Sequence, residues 1–108
     1  MSQSNSQILF RMLDACGDNR SVVRPVEHFS YFQCETDLEK YGKVLEVSGV
    51  KFRRTKEDIG VIVTVHTGSS DEVITKQEKL FREATEYFGG EYDGWETELV
   101  AQSEAKES

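Results

Sequence analysis

The chain has 108 residues, a length that supports one hydrophobic core and leaves little room for a second domain. Its 37% hydrophobic and 31% charged residues are typical of a soluble globular protein, and its longest apolar run, residues 61–65, is far too short to span a bilayer. A formal net charge of -7 argues against direct binding of nucleic acid, because phosphate contacts depend on clustered Lys and Arg.

The N-terminal segment predicts a helix and shows no secretory signal. Residues 1–6 contain neither a basic region nor a long apolar core, so we expect a cytoplasmic protein. Ser6 suits the N-cap of a first helix that runs to about residue 16, since a Ser hydroxyl accepts hydrogen bonds from free backbone amides. At helical spacing the apolar residues share one face: Ile8, Leu9, Met12 and Leu13.

Residues 26–33 are rich in aromatic and β-branched side chains and predict the first strand. Its side chains alternate between two faces, with Phe29 and Tyr31 on one and His28, Ser30 and Phe32 on the other. Since neither face is purely polar, we expect a central strand that is covered on both sides. The first helix is the natural cover for the second face, and a partner protein is the other candidate.

The middle of the chain predicts one helix and two strands. Thr36 and Glu39 form a capping box that opens a helix over residues 36–47, which ends at Gly49. Residues 50–55 alternate as a second strand within a local basic strip: Lys51, Arg53, Arg54 and Lys56. Residues 59–67 follow as a third strand, whose buried side we expect to be Val61, Val63 and Val65.

A second capping box, residues 69–72, opens a helix that runs to Phe88. Its inward stripe is predicted to be Val73, Gln77, Leu80, Phe81, Ala84 and Phe88. The paired glycines at 89 and 90 suit the end of this helix, because Gly adopts the left-handed cap conformation without a Cβ penalty.

The last strand follows these glycines and carries a second break, Asp93-Gly94. We interpret this dipeptide as a β-bulge in an edge strand, since the flanking arms are short for a hairpin. Trp95 is predicted to be a core residue under the final helix. We expect Tyr92, Asp93 and Glu96, at the bulge and on the outer side, to be available for contact.

The order of elements predicts an α+β fold: a ferredoxin-like split βαβ arrangement (βαββαβ), preceded by an N-terminal helix. Its antiparallel sheet has the first and third strands at the centre, the second and fourth at the edges, and two helices on one face. Charged residues protect such edges from pairing with other chains. We predict a single domain over residues 1–108, with an ordered core of about 7–99 and a flexible tail over 100–108.

The sequence gives little support for catalysis. His28 and His66 fall on neighbouring central strands and could approach one another, but no carboxylate or Cys lies at metal-ligand spacing beside them. We predict no catalytic residue, no metal and no cofactor. Direct RNA binding is not expected either, because residues 59–66 of the third strand lack the exposed aromatics among basic residues that RNA-binding sheets of this topology use.

The C-terminal part of the chain is acidic. From Glu86 onward the sequence has a single basic residue, Lys106, and seven acidic residues: Glu86, Glu91, Asp93, Glu96, Glu98, Glu104 and Glu107. Such a surface would attract a basic protein and speed its encounter more than it would add affinity. The alternative interpretation is that these charges only keep the domain soluble and monomeric.

Two segments resemble one known family. Residues 88–97, with the run Glu-Tyr-Asp-Gly-Trp, resemble the C-terminal signature of the regulator of ribonuclease E activity B (RraB) family. Val26-Glu27-His28-Phe29, followed by a helix and Gly49-Val50, is similar to that family's first strand, helix and glycine stop. Together these matches span most of residues 7–99.

The resemblance implies a non-enzymatic regulator that binds a ribonuclease E-like endoribonuclease in its non-catalytic scaffold region and so modulates RNA decay. It would act by occupancy or by remodelling of the assembly. As partner-binding residues we predict Glu91, Tyr92, Asp93, Glu96 and His28.

Two alternatives belong to other classes of function. A dimeric or small-molecule-binding domain of ferredoxin-like type, unrelated to ribonuclease, would associate through a sheet face around Phe32 and His28, and homo-oligomerisation is left open. An enzyme built on His28 and His66 would have a concave site there with perturbed titration.

Overall fold

The computed structural model describes residues 5–98, with side chains from residue 7 onward. Its elements in chain order are α1 (Asn5–Ala15), β1 (Arg24–Tyr31), α2 (Glu35–Ser48), β2 (Lys51–Arg54), β3 (Gly60–Thr67), α3 (Asp71–Tyr87) and β4 (Glu91–Thr97). This order confirms the predicted α+β class with an N-terminal helix. The expected tail, 100–108, lies outside the described residues.

The four strands form one antiparallel sheet in the order β2-β3-β1-β4, so the prediction of central first and third strands is confirmed. Cross-strand partners share a face of a sheet. His28 lies opposite Val63 on one side and Trp95 on the other, and all three point toward the helices. Phe29, one residue later, points to the other face with its partner Ile62.

The hydrophobic core lies between the sheet and the helices in two clusters. The larger joins α2, α3, β2, β3, β4 and the residue after β1. It contains Phe32, Leu38, Tyr41, Leu45, Val61, Val63, Phe81 and Tyr92, with Phe52 of β2 packed against it. The smaller contains Phe10, Val26, Ile74 and Trp95. Val61 and Val63 are fully buried, as their positions in the third strand predicted.

Helix α1 belongs to the same layer as the other two helices. Its Phe10 ring lies 5.7 Å from the Trp95 ring, and both pack with Ile74 of α3 and Val26 of β1. The expectation that the first helix covers the second face of the sheet was therefore wrong. Phe10 of α1, with Leu9 and Leu13 beside it, packs on the apolar surface near the start of α3, while Ile8 and Met12 of the predicted stripe remain exposed. Within residues 5–98, no helix packs on the second face of the sheet.

Two arginines hold the connection between α1 and β1 in place. Arg20 donates to the Ser69 carbonyl (3.0 Å) and to Asp14 Oδ1 (3.1 Å), and its guanidinium lies 4.6 Å over the Phe10 ring. Arg24 is buried, pairs with the buried Asp18 at 2.6 Å and donates to the backbone beyond β4. These contacts fasten α1 to the start of α3 and to the end of the sheet.

The helix starts differ from the sequence prediction. Helix α2 begins at Glu35, after Cys34 as N-cap, so Thr36 is not the cap. Arg54 donates two hydrogen bonds of 2.8 and 2.9 Å to the carboxylate of Glu35, the first residue of the helix, which lies one residue before the predicted start. The predicted glycine stop of this helix is confirmed, since Gly49 has φ +75°.

Helix α3 buries only part of the predicted stripe: Phe81 is buried and Ala84 and Phe88 pack against the larger core cluster, but Val73 and Leu80 are exposed. Ser70 is its N-cap, and the fully buried side is Ile74, Phe81 and Thr85, while Leu80 is 61% exposed. Thr85 tolerates burial because its hydroxyl bonds to the Phe81 carbonyl (2.6 Å) and to Ser30 Oγ (2.7 Å). Because the hydroxyl of Thr85 is hydrogen-bonded, Thr85 can form part of the buried side of the helix. Leu80 then lies outside that side.

Candidate protein-binding surface

Strand β4 contains the predicted bulge. Its register with β1 shifts between Phe29, which pairs with Gly94, and Ser30, which pairs with Tyr92, so Asp93 is the inserted residue; Gly94 has φ +117°. Because one extra residue is inserted, Tyr92 and Trp95 both point inward although they are three residues apart. Trp95 is 5% exposed, so its predicted place in the core is confirmed.

The bulge divides the predicted binding residues between the two faces. Glu91, Asp93 and Glu96 are exposed; Glu91 lies opposite Tyr31 and Glu96 opposite Glu27, both on the face without helices. These three acidic residues form what we call the β4 acidic margin. Tyr92 was expected on the outer side, and this was wrong.

Tyr92 and His28 lie beneath the surface. Tyr92 is 6% exposed because the inserted residue turns it toward α3, and His28 is 1% exposed on the same inner side. The structure therefore brings Glu91, Asp93 and Glu96 to one surface and places Tyr92 and His28 on its inner side.

The centre of the open sheet face is apolar. Phe29 and Tyr31 of β1 are half-buried there, and Ile62 of β3 lies beside Phe29 but belongs to neither core cluster. The Tyr31 ring covers Gly60: a Cβ at that glycine would lie 2.7 Å from the ring. The outward position of Phe29 and Tyr31 was predicted, but the absence of a helix over them was not.

Negative charge dominates this face on the β4 side. Glu27 is paired with Arg53 of β2 at 2.9 Å, whereas the β4 margin has no basic residue within its own strand. Partial burial raises the pKa of Tyr31, and the nearby charges of Asp93, Asp58 and Glu96 raise it further. A positively charged partner group would find both an aromatic ring and carboxylates here.

Two open hollows extend the acidic surface at the ends of the sheet. The larger, about 590 Å³, lies where β1 ends and β4 begins and is lined by Tyr31, Phe32, Glu57, Asp58, Ile59 and Glu91. The smaller, about 300 Å³, is lined by Pro25, Glu27, Glu96, Thr97 and Glu98. Each therefore includes one end of the β4 acidic margin.

A buried polar network supports this surface from below. His28 Nδ1 lies 2.7 Å from the Tyr92 hydroxyl, and its Nε2 lies 2.9 Å from Gln77 Oε1. A neutral imidazole satisfies both contacts when Nε2–H donates to Gln77 and the Tyr92 hydroxyl donates to Nδ1. Burial lowers the pKa of His28, while the Gln77 bond and the charge of Glu78 oppose this shift.

The same network ties β4 to α3. The Arg82 guanidinium lies 5.0 Å over the Tyr92 ring and pairs with Glu78 at 2.9 Å. Burial raises the pKa of the Tyr92 hydroxyl, as does the Glu78 charge, and Arg82 lowers it. His28 and Tyr92 thus hold the acidic margin in position.

The family of the chain follows from a comparison with known protein families. The family model described as "Regulator of ribonuclease activity B" matches residues 2–97. The chain belongs to the RraB family. A comparison with curated proteins returned no match. The resemblance seen at residues 88–97 is thereby confirmed, and the family description supports a regulatory role.

The structure of this RraB-family chain separates the two histidines. His28 faces the helices, whereas His66 lies opposite Pro25 on the open face and is exposed, so the sheet stands between them. The expectation that they approach one another was wrong, because they fall on opposite faces of their strands. Among residues 5–98, no cluster of His, Cys, Asp or Glu has the arrangement of a metal site.

The sheet face around Phe32 and His28, which was the alternative site for self-association, is buried. Phe32 is 7% exposed and packs in the larger core cluster, and His28 lies under α3, so neither forms an outer sheet face. No helix of the described segment has the length and apolar character that crossing a membrane requires.

Proposed function

We propose that this chain binds a ribonuclease E-like endoribonuclease through its open sheet face and regulates the enzyme without taking part in catalysis. The observation that carries the proposal is the exposed β4 acidic margin, which borders an apolar sheet centre that no described helix covers. Membership in a family of ribonuclease regulators supports the choice of partner.

The chemistry of this face favours a basic protein segment. Phe29 and Tyr31 provide apolar area, and the carboxylates of Glu91, Asp93 and Glu96 lie along one side of it. Complementary charges mainly raise the association rate and fix the orientation of the partner, while the apolar centre slows its release. We expect the basic, non-catalytic scaffold region of the enzyme to be the docking segment.

The regulatory effect would come from occupancy. A bound domain covers scaffold surface that other components or RNA would use, or it remodels the assembly, and the catalytic site itself is not blocked. We expect this regulation to take place in the cytoplasm, where the ribonuclease acts on its transcripts. RNA is not a direct ligand in this proposal, because the outward residues of β3 are Ile62, Thr64 and His66, with no Phe, Tyr or Trp among them, and the border of this face is acidic.

Calorimetry with the purified scaffold region of the ribonuclease, at two salt concentrations, tests the proposal. Saturable binding that weakens with salt, together with no binding of RNA alone, is the expected result. No binding to the scaffold region would refute the proposed function.

A charge-reversal variant locates the site. We expect Glu91→Lys combined with Asp93→Lys and Glu96→Lys to slow association by about tenfold or more at low salt, with a smaller difference at high salt. The matched control reverses three exposed acidic residues on the helices and changes the net charge equally: Glu39→Lys, Glu46→Lys and Glu86→Lys. Equal effects of both variants would remove the β4 margin from the site.

A further inference from the structure

The helix layer exposes several large apolar side chains. Among the described residues, the large apolar side chains left exposed include Val73, Leu80 and Tyr87 of α3, at 37%, 61% and 82%, and Val44 and Val47 of α2, at 43% and 79%. None of the three residues of α3 is needed for the core, since the inward side of this helix is formed by other residues.

The three residues of α3 form a straight line, which we call the α3 stripe. They are seven residues apart, and such positions drift only about 20° per seven residues around an α-helix. The stripe is about 21 Å long, at 1.5 Å per residue. It therefore places three apolar side chains along the flank of α3, about 100° around the helix from the inward Phe81, with Lys76 and Glu83 between them.

The charges beside the stripe have a symmetric arrangement. Lys76 lies four residues before Leu80, and Glu83 lies three residues after it, both exposed. If two α3 helices pack antiparallel about a two-fold axis at Leu80, Val73 of each copy meets Tyr87 of the other, and Lys76 meets Glu83. Lys76 also reaches Glu72 of its own helix at 3.3 Å, but both side chains are highly exposed, so this pair is easily exchanged.

We propose that the α3 stripe is a homodimer interface, in which a second copy of the chain packs antiparallel about Leu80. A two-fold interface must be self-complementary, and the stripe meets this condition in charge, since Lys76 of one copy would lie beside Glu83 of the other. The β4 acidic margin does not, since its exposed charges are all of one sign. A contact centred on one helix is small, so we expect a dissociation constant on the order of 100 µM.

Sedimentation equilibrium of the full chain at 150 mM salt, from about 10 µM to 1 mM, tests the proposal. We expect a monomer–dimer equilibrium that Leu80→Glu weakens by more than about 100-fold, because a charge would then face its own copy across the axis. The matched control is Val23→Glu, which places the same charge at an exposed residue outside the stripe. Circular dichroism checks that both variants fold.

Charge exchange tests the two-fold geometry itself. Lys76→Glu alone and Glu83→Lys alone each create two like-charge contacts per dimer, and we expect each to weaken the dimer about tenfold. An equimolar mixture of the two variants restores opposite charges at both contacts, and so does the double variant. A chain that stays monomeric to 1 mM, a dimer unaffected by Leu80→Glu, or a mixture that fails to recover affinity would each overturn the proposal.

Discussion

The two outer surfaces of this protein both expose apolar residues, but their charges differ. On the open sheet face, Phe29 and Tyr31 are bordered by carboxylates of the β4 acidic margin. On the helix layer, the α3 stripe is bordered by Lys76 and Glu83 at nearly equal distances from its centre. Exposed apolar area alone says little about the partner, whereas the sign pattern around it distinguishes a basic partner from a second copy.

The two surfaces also lie on opposite sides of the sheet, so both can be used at once. A dimer formed through α3 leaves each open sheet face free. Two acidic faces in one particle could bind two basic segments of the same scaffold, and the second binding event would then be intramolecular. Three further measurements test the difference between the two surfaces.

The largest expected effect separates a buried from an exposed aromatic residue. Trp95→Ala should lower the free energy of unfolding by about 3–5 kcal/mol, because it removes a side chain that is 5% exposed and packs on Phe10. Tyr87→Ala, at an 82% exposed position, should stay within about 0.5 kcal/mol of the parent, while it weakens the dimer. Urea denaturation measures both, and a large loss at Tyr87 would place it in the core and not at an interface.

The next effect concerns the network under the acidic margin. The pKa of His28 is lowered by burial in the folded state, so below its ordinary value of 6.5 the unfolded chain binds more protons than the folded one. The contribution of His28 to stability is therefore fully present well above pH 6.5 and falls as the pH decreases through that value, by up to about 1.4 kcal/mol per pH unit.

Urea midpoints measured between pH 7 and about pH 5, above the main carboxylate range, give this slope. His28→Gln should make it shallower, and His66→Gln, at an exposed position on the open face, should leave it unchanged. A slope that is the same in His28→Gln and in the parent protein would show that His28 does not supply the acid sensitivity.

The smallest expected effect is a difference in salt dependence between binding at the sheet face and dimerisation through α3. Raising the salt concentration from about 50 to 500 mM should weaken binding of a basic scaffold segment to the sheet face about tenfold, because opposite charges are screened. The dimer of a chain with net charge -7 should change by less than about threefold, since screening weakens the Lys76–Glu83 contacts and the overall repulsion together. Equal salt dependence of both equilibria would contradict the distinction between them.

Local chemistry in the sequence was enough to predict much of the fold. Gly49 takes the positive φ that ends a helix, Gly94 takes the one in a bulge, and Trp95 lies in the core, as their neighbours along the chain indicated. The order of the strands also followed from the pattern of helices and strands. The two glycine conformations depend on residues close together in the chain, whereas the strand order and the burial of Trp95 were inferred from the order of the elements and their apolar pattern.

Only the tertiary structure decided which face each surface residue occupies. Tyr92 turns inward because β4 gains one residue, Asp93, between the partners of Phe29 and Ser30, and a single inserted residue moves a side chain from one face to the other. The inward stripe of α3 passes through Thr85 because Ser30, 55 residues away, satisfies its hydroxyl. The place of α1 depends on Trp95 and Ile74, which lie far along the chain, so no local pattern near α1 could show it.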